Sequence, residues 1–176
     1  MPRLFLAIDI PEADKQKLQS LQQGLTAARW TSPDQMHITL HFLGETELAP
    51  VIEAMDSVQS PLLDLQVKGL GTFPPRKQAR VLWAGIEHDN ALISLYNQLG
   101  TALQPTGYAP DTRPYHPHVT LARFRVPPER NALADYTQGH SPLVCEPFRA
   151  KAVVLYESQL QPEGAVYTIR HCLLLS

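Results

Sequence analysis

Apolar residues along this chain follow two alternating spacings. Leu4 to Ile10 (LFLAIDI) is a run of strand formers closed by Pro11, and it predicts a first strand. From Glu12 to Ala28 the leucines fall at 18, 21 and 25, the spacing of one helix face, so a helix is expected across that stretch. Ser32-Pro33-Asp34 interrupts the chain before a second strand, Met36 to Gly44 (MHITLHFLG). Leu48, Val51, Ile52 and Met55 mark a second helix, and Leu62 to Phe73 is extended up to Pro74-Pro75.

The same order then recurs. Arg80 to Ile86 (RVLWAGI) predicts a strand, and Leu92, Leu95, Tyr96, Leu99 and Leu103 a helix. His118 to Phe124 (HVTLARF) is again strand-like, and Glu129 to Tyr136 a short helix after Pro127-Pro128. Phe148 to Tyr156 and Val166 to Leu175 read as two closing strands joined through Pro162-Glu163-Gly164. Strand–helix–strand–helix–strand therefore occurs twice. Two copies are too few for a stacked array, so they are expected to face each other about a pseudo-two-fold axis. The expected class is α+β: two pseudo-symmetric lobes of mostly antiparallel sheet with outer helices around a central cleft, and residues 1–176 as a single bilobal domain.

Composition narrows the classes. With 176 residues, 44% hydrophobic and 18% charged, the chain has enough apolar material for a core and is not disordered as a whole. Its net charge of −2 excludes a polybasic coat for long duplexes and leaves room for a local site that takes a short or terminal anion. No run approaches the roughly 18 apolar residues of a membrane span, and the N-terminus lacks a signal-peptide cleavage site. Cys145 and Cys172 form neither a disulfide framework nor a zinc clamp, which suits a reducing cytoplasm.

The chemistry sits in a tetrad written twice: His37-Ile38-Thr39-Leu40 and His118-Val119-Thr120-Leu121, 81 residues apart. Side chains at i and i+2 of a strand project from one face, so each histidine points with its threonine while Ile38, Leu40, Val119 and Leu121 point into the core. An imidazole titrates near 6.5, so of two rings facing one cleft one acts as base and the other as acid. Opening a phosphodiester needs both, one on each side of phosphorus, and the threonine hydroxyls are donors to the non-bridging oxygens. Such a site requires no metal and no cofactor.

The paired tetrads resemble the two-histidine phosphoesterases, and within them the LigT/ThpR branch of bacterial RNA 2′,3′-cyclic phosphodiesterases, also called 2′-5′ RNA ligases. Arg3 to Pro11, Met36 to Gly44, Arg80 to Gly85 and Arg113 to Arg123 (RPYHPHVTLAR) carry the likeness, which spans residues 3 to 175. The resemblance implies metal-independent hydrolysis of a terminal 2′,3′-cyclic phosphate to a 2′-phosphate, with minor reverse 2′-5′ ligation. It implies His37 as proton donor to the departing 3′ oxygen, His118 as acceptor that activates water, and Thr39 and Thr120 as phosphate-binding residues. Residue types alone leave the acid and base roles interchangeable. Arg123 matches a basic substrate-binding residue, with Phe42 at the equivalent place of the first motif; ideal alternation would turn Arg123 away from His118. The expected partner is an RNA 3′ end bearing the cyclic phosphate, tRNA-derived ends included, handled by a cytoplasmic monomer with no membrane partner.

Other readings compete. His41 shares the alternation of His37 and Thr39 and is a candidate site residue, although Ala122 replaces it in the second motif. His116 with His118 begins a zinc set that no nearby cysteine or carboxylate completes. His88, His140 and His171 read as structural or exposed. Arg76, Lys77 and Arg80, with Arg113, Arg123, Arg125 and Arg130, form either a solvated loop surface or a funnel for RNA phosphates. Trp83 reads as core rather than as a base-stacking residue, Tyr115 could do either, and Phe5, Leu6 and Ile8 read as core. A nucleotide-sized substrate such as ADP-ribose 1″,2″-cyclic phosphate, a non-catalytic RNA-end-binding module and a metallohydrolase are the alternative functions.

Overall fold

The apolar strands and helical stripes assemble into the expected α+β layers in a computed structural model that describes residues 1–75 and 78–176. The first repeat contributes β1 (Arg3–Asp9), α1 (Glu12–Ser20), a two-residue β2 (Arg29–Trp30), β3 (His37–Glu45), α2 (Leu48–Asp56), β4 (Leu63–Leu65) and β5 (Val67–Phe73). The second contributes β6 (Val81–Ile86), α3 (Asn90–Leu103), β7 (His118–Arg123), α4 (Arg130–Gly139), β8 (Phe148–Ala150), β9 (Ala152–Gln161) and β10 (Gly164–Leu174). The predicted first helix is shorter than its leucine spacing suggested. It ends at Ser20, and Gly24 at φ +88° turns the chain toward β2, while Leu25 is still buried at the far side of that turn. Leu62 to Phe73 likewise divides into β4 and β5, and the segment from Phe148 into β8 and β9.

Strands run in the order β10-β9-β1-β3-β7-β6-β5, with β2 beside β7, and every registered pair is antiparallel. The two repeats exchange their last strands: β9 of the second pairs with β1 of the first, and β5 of the first pairs with β6 of the second. The separate β4–β8 ladder also joins one repeat to the other. In the middle, β3 and β7 share a single registered pair, Ile38 with Val119. That seam divides the two lobes.

One face of the sheet is apolar. Leu4, Leu6 and Ile8 of β1, Ile38 and Leu40 of β3, Val119 and Leu121 of β7 and Leu82 and Ala84 of β6 are buried there with Leu18, Val51, Met55, Leu92, Leu95, Leu99 and Leu103 of the helices. Each fully buried leucine contributes about 1.5–3 kcal/mol. At the start of α3 the Asp89 carboxylate accepts from the Leu92 amide at 2.8 Å, a cap worth about 1 kcal/mol. Covering one face with helices leaves the other free to carry polar groups. No helix among the described residues is long and apolar enough to cross a membrane.

Candidate active site

The free face is built by strand register. Ile38 opposite Val119, continued one residue each way, sets His37 across from Thr120 and Thr39 across from His118. The neighbouring strands extend both rows, because Asp9 pairs with His37 and Trp83 with Thr120, while Ala7 pairs with Thr39 and Gly85 with His118. One row is thus Asp9–His37–Thr120–Trp83, the other Ala7–Thr39–His118–Gly85. The histidines occupy one diagonal of the central square and the threonines the other. A cross-strand diagonal spans about 7–8 Å, room for one phosphoryl group between the rings.

Both imidazoles are oriented in the same way. His118 Nδ1 donates to the His116 carbonyl at 2.7 Å, and a ring N–H of His37 donates to the Gln35 carbonyl. Each ring is held by the backbone two residues upstream, which leaves its other nitrogen for the cleft. Aromatic side chains back both rings: Phe5, Tyr167 and Tyr156 around His37, with centroids at 5.0, 5.6 and 6.2 Å, and Phe73 and Trp83 around His118 at 5.0 and 6.3 Å. Burial against these walls lowers the His37 pKa to about 4; the Gln35 carbonyl and the Asp9 carboxylate pull it up, and Lys15 and His118 push it down. Burial also lowers His118, opposed by the His116 carbonyl and reinforced by the His116 ring and Arg123. Burial thus favours the neutral form of both rings.

A bulge in each motif strand decides what comes next. Leu6 pairs with His41 and Ala7 with Thr39, so Leu40 is an extra residue; Leu82 pairs with Ala122 and Trp83 with Thr120, so Leu121 is another. Past each bulge the alternation inverts. Arg123 therefore returns to the face of His118 and Thr120, close enough to act electrostatically on His118 and on Tyr167. Phe42, its counterpart, is 65% exposed on the same face. The inversion corrects the reading of His41, which turns inward. It is 1% exposed, with Nε2 against the Tyr96 carbonyl at 2.9 Å and Nδ1 against the Tyr108 hydroxyl at 2.8 Å, stacked on the Tyr96 ring.

Trp83 also departs from expectation. It lies on the cleft face, half-buried, and its indole covers Gly71, where an added Cβ would stand 2.3 Å from the ring. Tyr115 is a support: stacked on Tyr96 at 4.0 Å, it donates its hydroxyl to the Thr39 carbonyl at 2.8 Å and so ties the segment entering the second motif to the first. His116 packs on Trp83 at 4.6 Å; its ring lies 6.4 Å from His118, and among the described residues no third metal-ligating side chain joins them. Arg113 is engaged by Asp111 at 2.6 Å, His171 by Asp56 at 2.8 Å and His88 by Asn90 at 2.8 Å, while His140 packs on Tyr136. Cys145 and Cys172 are free thiols. Arg76 and Lys77 lie outside the described residues.

Sequence reasoning missed Asp9, Tyr156, Tyr167 and Phe73 as neighbours of the histidines. Asp9 carried a signal, being a carboxylate at the end of an otherwise apolar strand. The aromatic residues carried none, because their strands reach the site only through the exchange between repeats. Beside His37 a cavity of about 220 Å³ is lined by Arg3, Phe5, Phe42, Ser158 and Tyr167, among others, and breaks the two-fold symmetry of the site.

Two facing histidine–threonine pairs on adjacent apolar-backed strands define a two-histidine phosphoesterase. A family model described as LigT-like phosphoesterase matches residues 8–83 and 86–167, and the chain belongs to that family. Among curated proteins, an RNA 2′,3′-cyclic phosphodiesterase of Methanocaldococcus jannaschii is 31% identical over 95% of this chain and 97% of its own length. One of Thermotoga maritima is 29% identical over 95% and 92%. The crystal structure of Escherichia coli LigT complexed with 3′-AMP superposes with a TM-score of 0.80 at 25% identity, over 99% of this chain and 98% of that one.

Proposed function

We propose that this protein hydrolyses a terminal 2′,3′-cyclic phosphate on RNA to a 2′-phosphate, with His37 and His118 as the acid/base pair and the whole bilobal chain as the working unit. The observation that carries the reading is the register at Ile38 and Val119, which sets two imidazoles and two hydroxyls around one phosphoryl-sized gap. The names of the relatives supply the substrate class.

In this mechanism His118 takes a proton from water as its oxygen bonds to phosphorus, the P–O3′ bond breaks, and His37 gives its proton to the departing O3′. Thr39 and Thr120 donate to the non-bridging oxygens, and Arg123 offsets their charge. Two asymmetries support His37 as the acid. Each ring has two neighbours that favour its neutral form, Lys15 and His118 for His37 and His116 and Arg123 for His118, but only His37 has a carboxylate beside it, Asp9, where His118 has Gly85. The aromatic cavity also lies on the His37 side, where the departing ribose oxygen brings its nucleoside. Burial works against the His37 proton, and an anionic phosphate beside the ring works for it, so substrate binding itself charges the acid.

The reverse reaction, joining a cyclic phosphate to a 5′-hydroxyl through a 2′-5′ bond, passes through the same groups and stays minor in water. The test is mass spectrometry of an oligoribonucleotide with a cyclic-phosphate end, incubated with protein and EDTA. Gain of one water with the phosphate on the 2′ position is expected. His37→Ala and His118→Ala should each slow turnover by about 10²–10⁴-fold. A 3′-phosphate product, or either variant within tenfold of wild type, refutes the assignment.

A further inference from the structure

The end of the cleft beyond the histidine row carries Arg29 and Arg123 on its face, with Arg80 and Arg125 on the chain segments that flank them. Arg29 of β2 pairs directly with Arg123 of β7, so the two guanidinium side chains leave the same face of the sheet side by side. Val81 faces Arg123 from the other side, and Arg80, just before it, donates to the Arg125 carbonyl. Arg29, Arg80, Arg123 and Arg125 are all exposed, and among the described residues none forms an ion pair. Arg113, Arg149 and Arg170 are engaged, by Asp111, Asp64 and Glu157 respectively, while Arg3 and Arg130, elsewhere on the surface, form no ion pair among the described residues. Asp34 lies near Tyr167 at the same mouth and is the nearby carboxylate of opposite sign.

Like charges directly opposite on adjacent strands are destabilising. A chain of net charge −2 has acidic residues to spare, yet leaves this pair uncompensated at the mouth of an anion site. Along β6 the step from the histidine row, at Trp83, to the arginine row, at Val81, is two residues, or about 6–7 Å. A strand whose terminal phosphate lies between His37 and His118 brings its next phosphate within reach of that row.

We propose that Arg29, with Arg80 and Arg125, forms a second phosphate subsite that grips the backbone of single-stranded RNA one or two nucleotides upstream of the cyclic end. The inference rests on the cyclic-phosphodiesterase reading and adds a preference for oligonucleotide over mononucleotide substrates. The contacts are to phosphate, so the preference is independent of base sequence.

The experiment compares kcat/KM for adenosine 2′,3′-cyclic phosphate with that for a tetraribonucleotide ending in the same group, in wild type, Arg29→Ala, Arg29→Gln and Arg80→Ala. Each substitution should lower the oligonucleotide-to-mononucleotide ratio about threefold to fivefold, through KM. Binding of a tetraribonucleotide 2′-phosphate, followed by fluorescence anisotropy, should lose about 0.7 of its log–log salt slope per arginine removed. Ratios and slopes equal to wild type in all three variants overturn the subsite, as does an equal loss on both substrates. Arginine-dependent binding by a wild type that hydrolyses neither substrate supports the subsite while refuting the hydrolytic reading. Turnover with no arginine dependence does the reverse.

Discussion

Acidification offers a direct probe of the site, because His37 is a titratable group held against its own charge. Burial between Phe5, Tyr156 and Tyr167 lowers its pKa to about 4, against 6.5 for an unperturbed ring. The unfolded chain therefore binds the His37 proton first. Stability from this ring is complete above pH 6.5 and is lost as pH falls toward 4, where the folded ring also protonates. Each tenfold change in proton affinity is worth about 1.4 kcal/mol, so wild type should lose about 2–3 kcal/mol from this group between pH 7 and pH 4.5. Urea denaturation at the two pH values should show that loss in wild type, and His37→Gln should lack that component. The ring should titrate near 4 by NMR. Phosphate in the cleft reverses the balance. One negative charge about 4 Å from an imidazolium is worth roughly 4 kcal/mol at the effective dielectric of such a site, enough to return the midpoint to roughly 6–7. A His37 midpoint at or above 6.5 without phosphate, or one that phosphate does not raise, would refute the account of how the acid acquires its proton.

The same logic predicts that kcat/KM, which reports the free enzyme, begins its alkaline fall below the ordinary imidazole value and declines about tenfold per pH unit through neutrality, and that the kcat profile lies at higher pH because bound phosphate raises both rings; coincident profiles count against it. His41→Phe removes two buried hydrogen bonds and should cost about 2–3 kcal/mol in urea denaturation, with kcat per folded molecule within about threefold of wild type. Loss of turnover in a fully folded sample would return His41 to the reaction. Tyr115→Phe leaves the Thr39 carbonyl without its donor and should cost about 1 kcal/mol, with kcat falling more than KM rises; an unchanged kcat would sever Tyr115 from the positioning of Thr39. Gly71→Ala drives a methyl into the Trp83 indole and should destabilise by about 1–3 kcal/mol with a shift in tryptophan emission, and an unperturbed spectrum would contradict the packing.

Much of the site was legible one residue at a time. Period two in MHITLHFLG and HVTLARF states which residues share a face, and the repeat of the tetrad states that two such faces exist. Strand, helix and chemistry are local properties, so spacing and side-chain type reveal them. The shortened first helix marks the limit of that logic: leucines at 18, 21 and 25 satisfy a helical face whether or not the chain stays helical, and here the helix stops at Ser20 and Gly24 turns the chain before Leu25.

What the sequence by itself determined is the class of fold, the doubled histidine–threonine pair and the apolar backing that makes those strands rigid. Tertiary structure alone decided three matters. The bulges at Leu40 and Leu121 returned Arg123 to the cleft and withdrew His41 from it, because one extra residue inverts every later side chain and only the partner strand reveals the extra residue. The exchange of β5 and β9 supplied Phe73 and Tyr156 to histidines far away in the chain. The lone pairing of Ile38 with Val119 set the gap between the imidazoles. Each depends on which strand lies beside which, a relation between distant residues that no local spacing encodes.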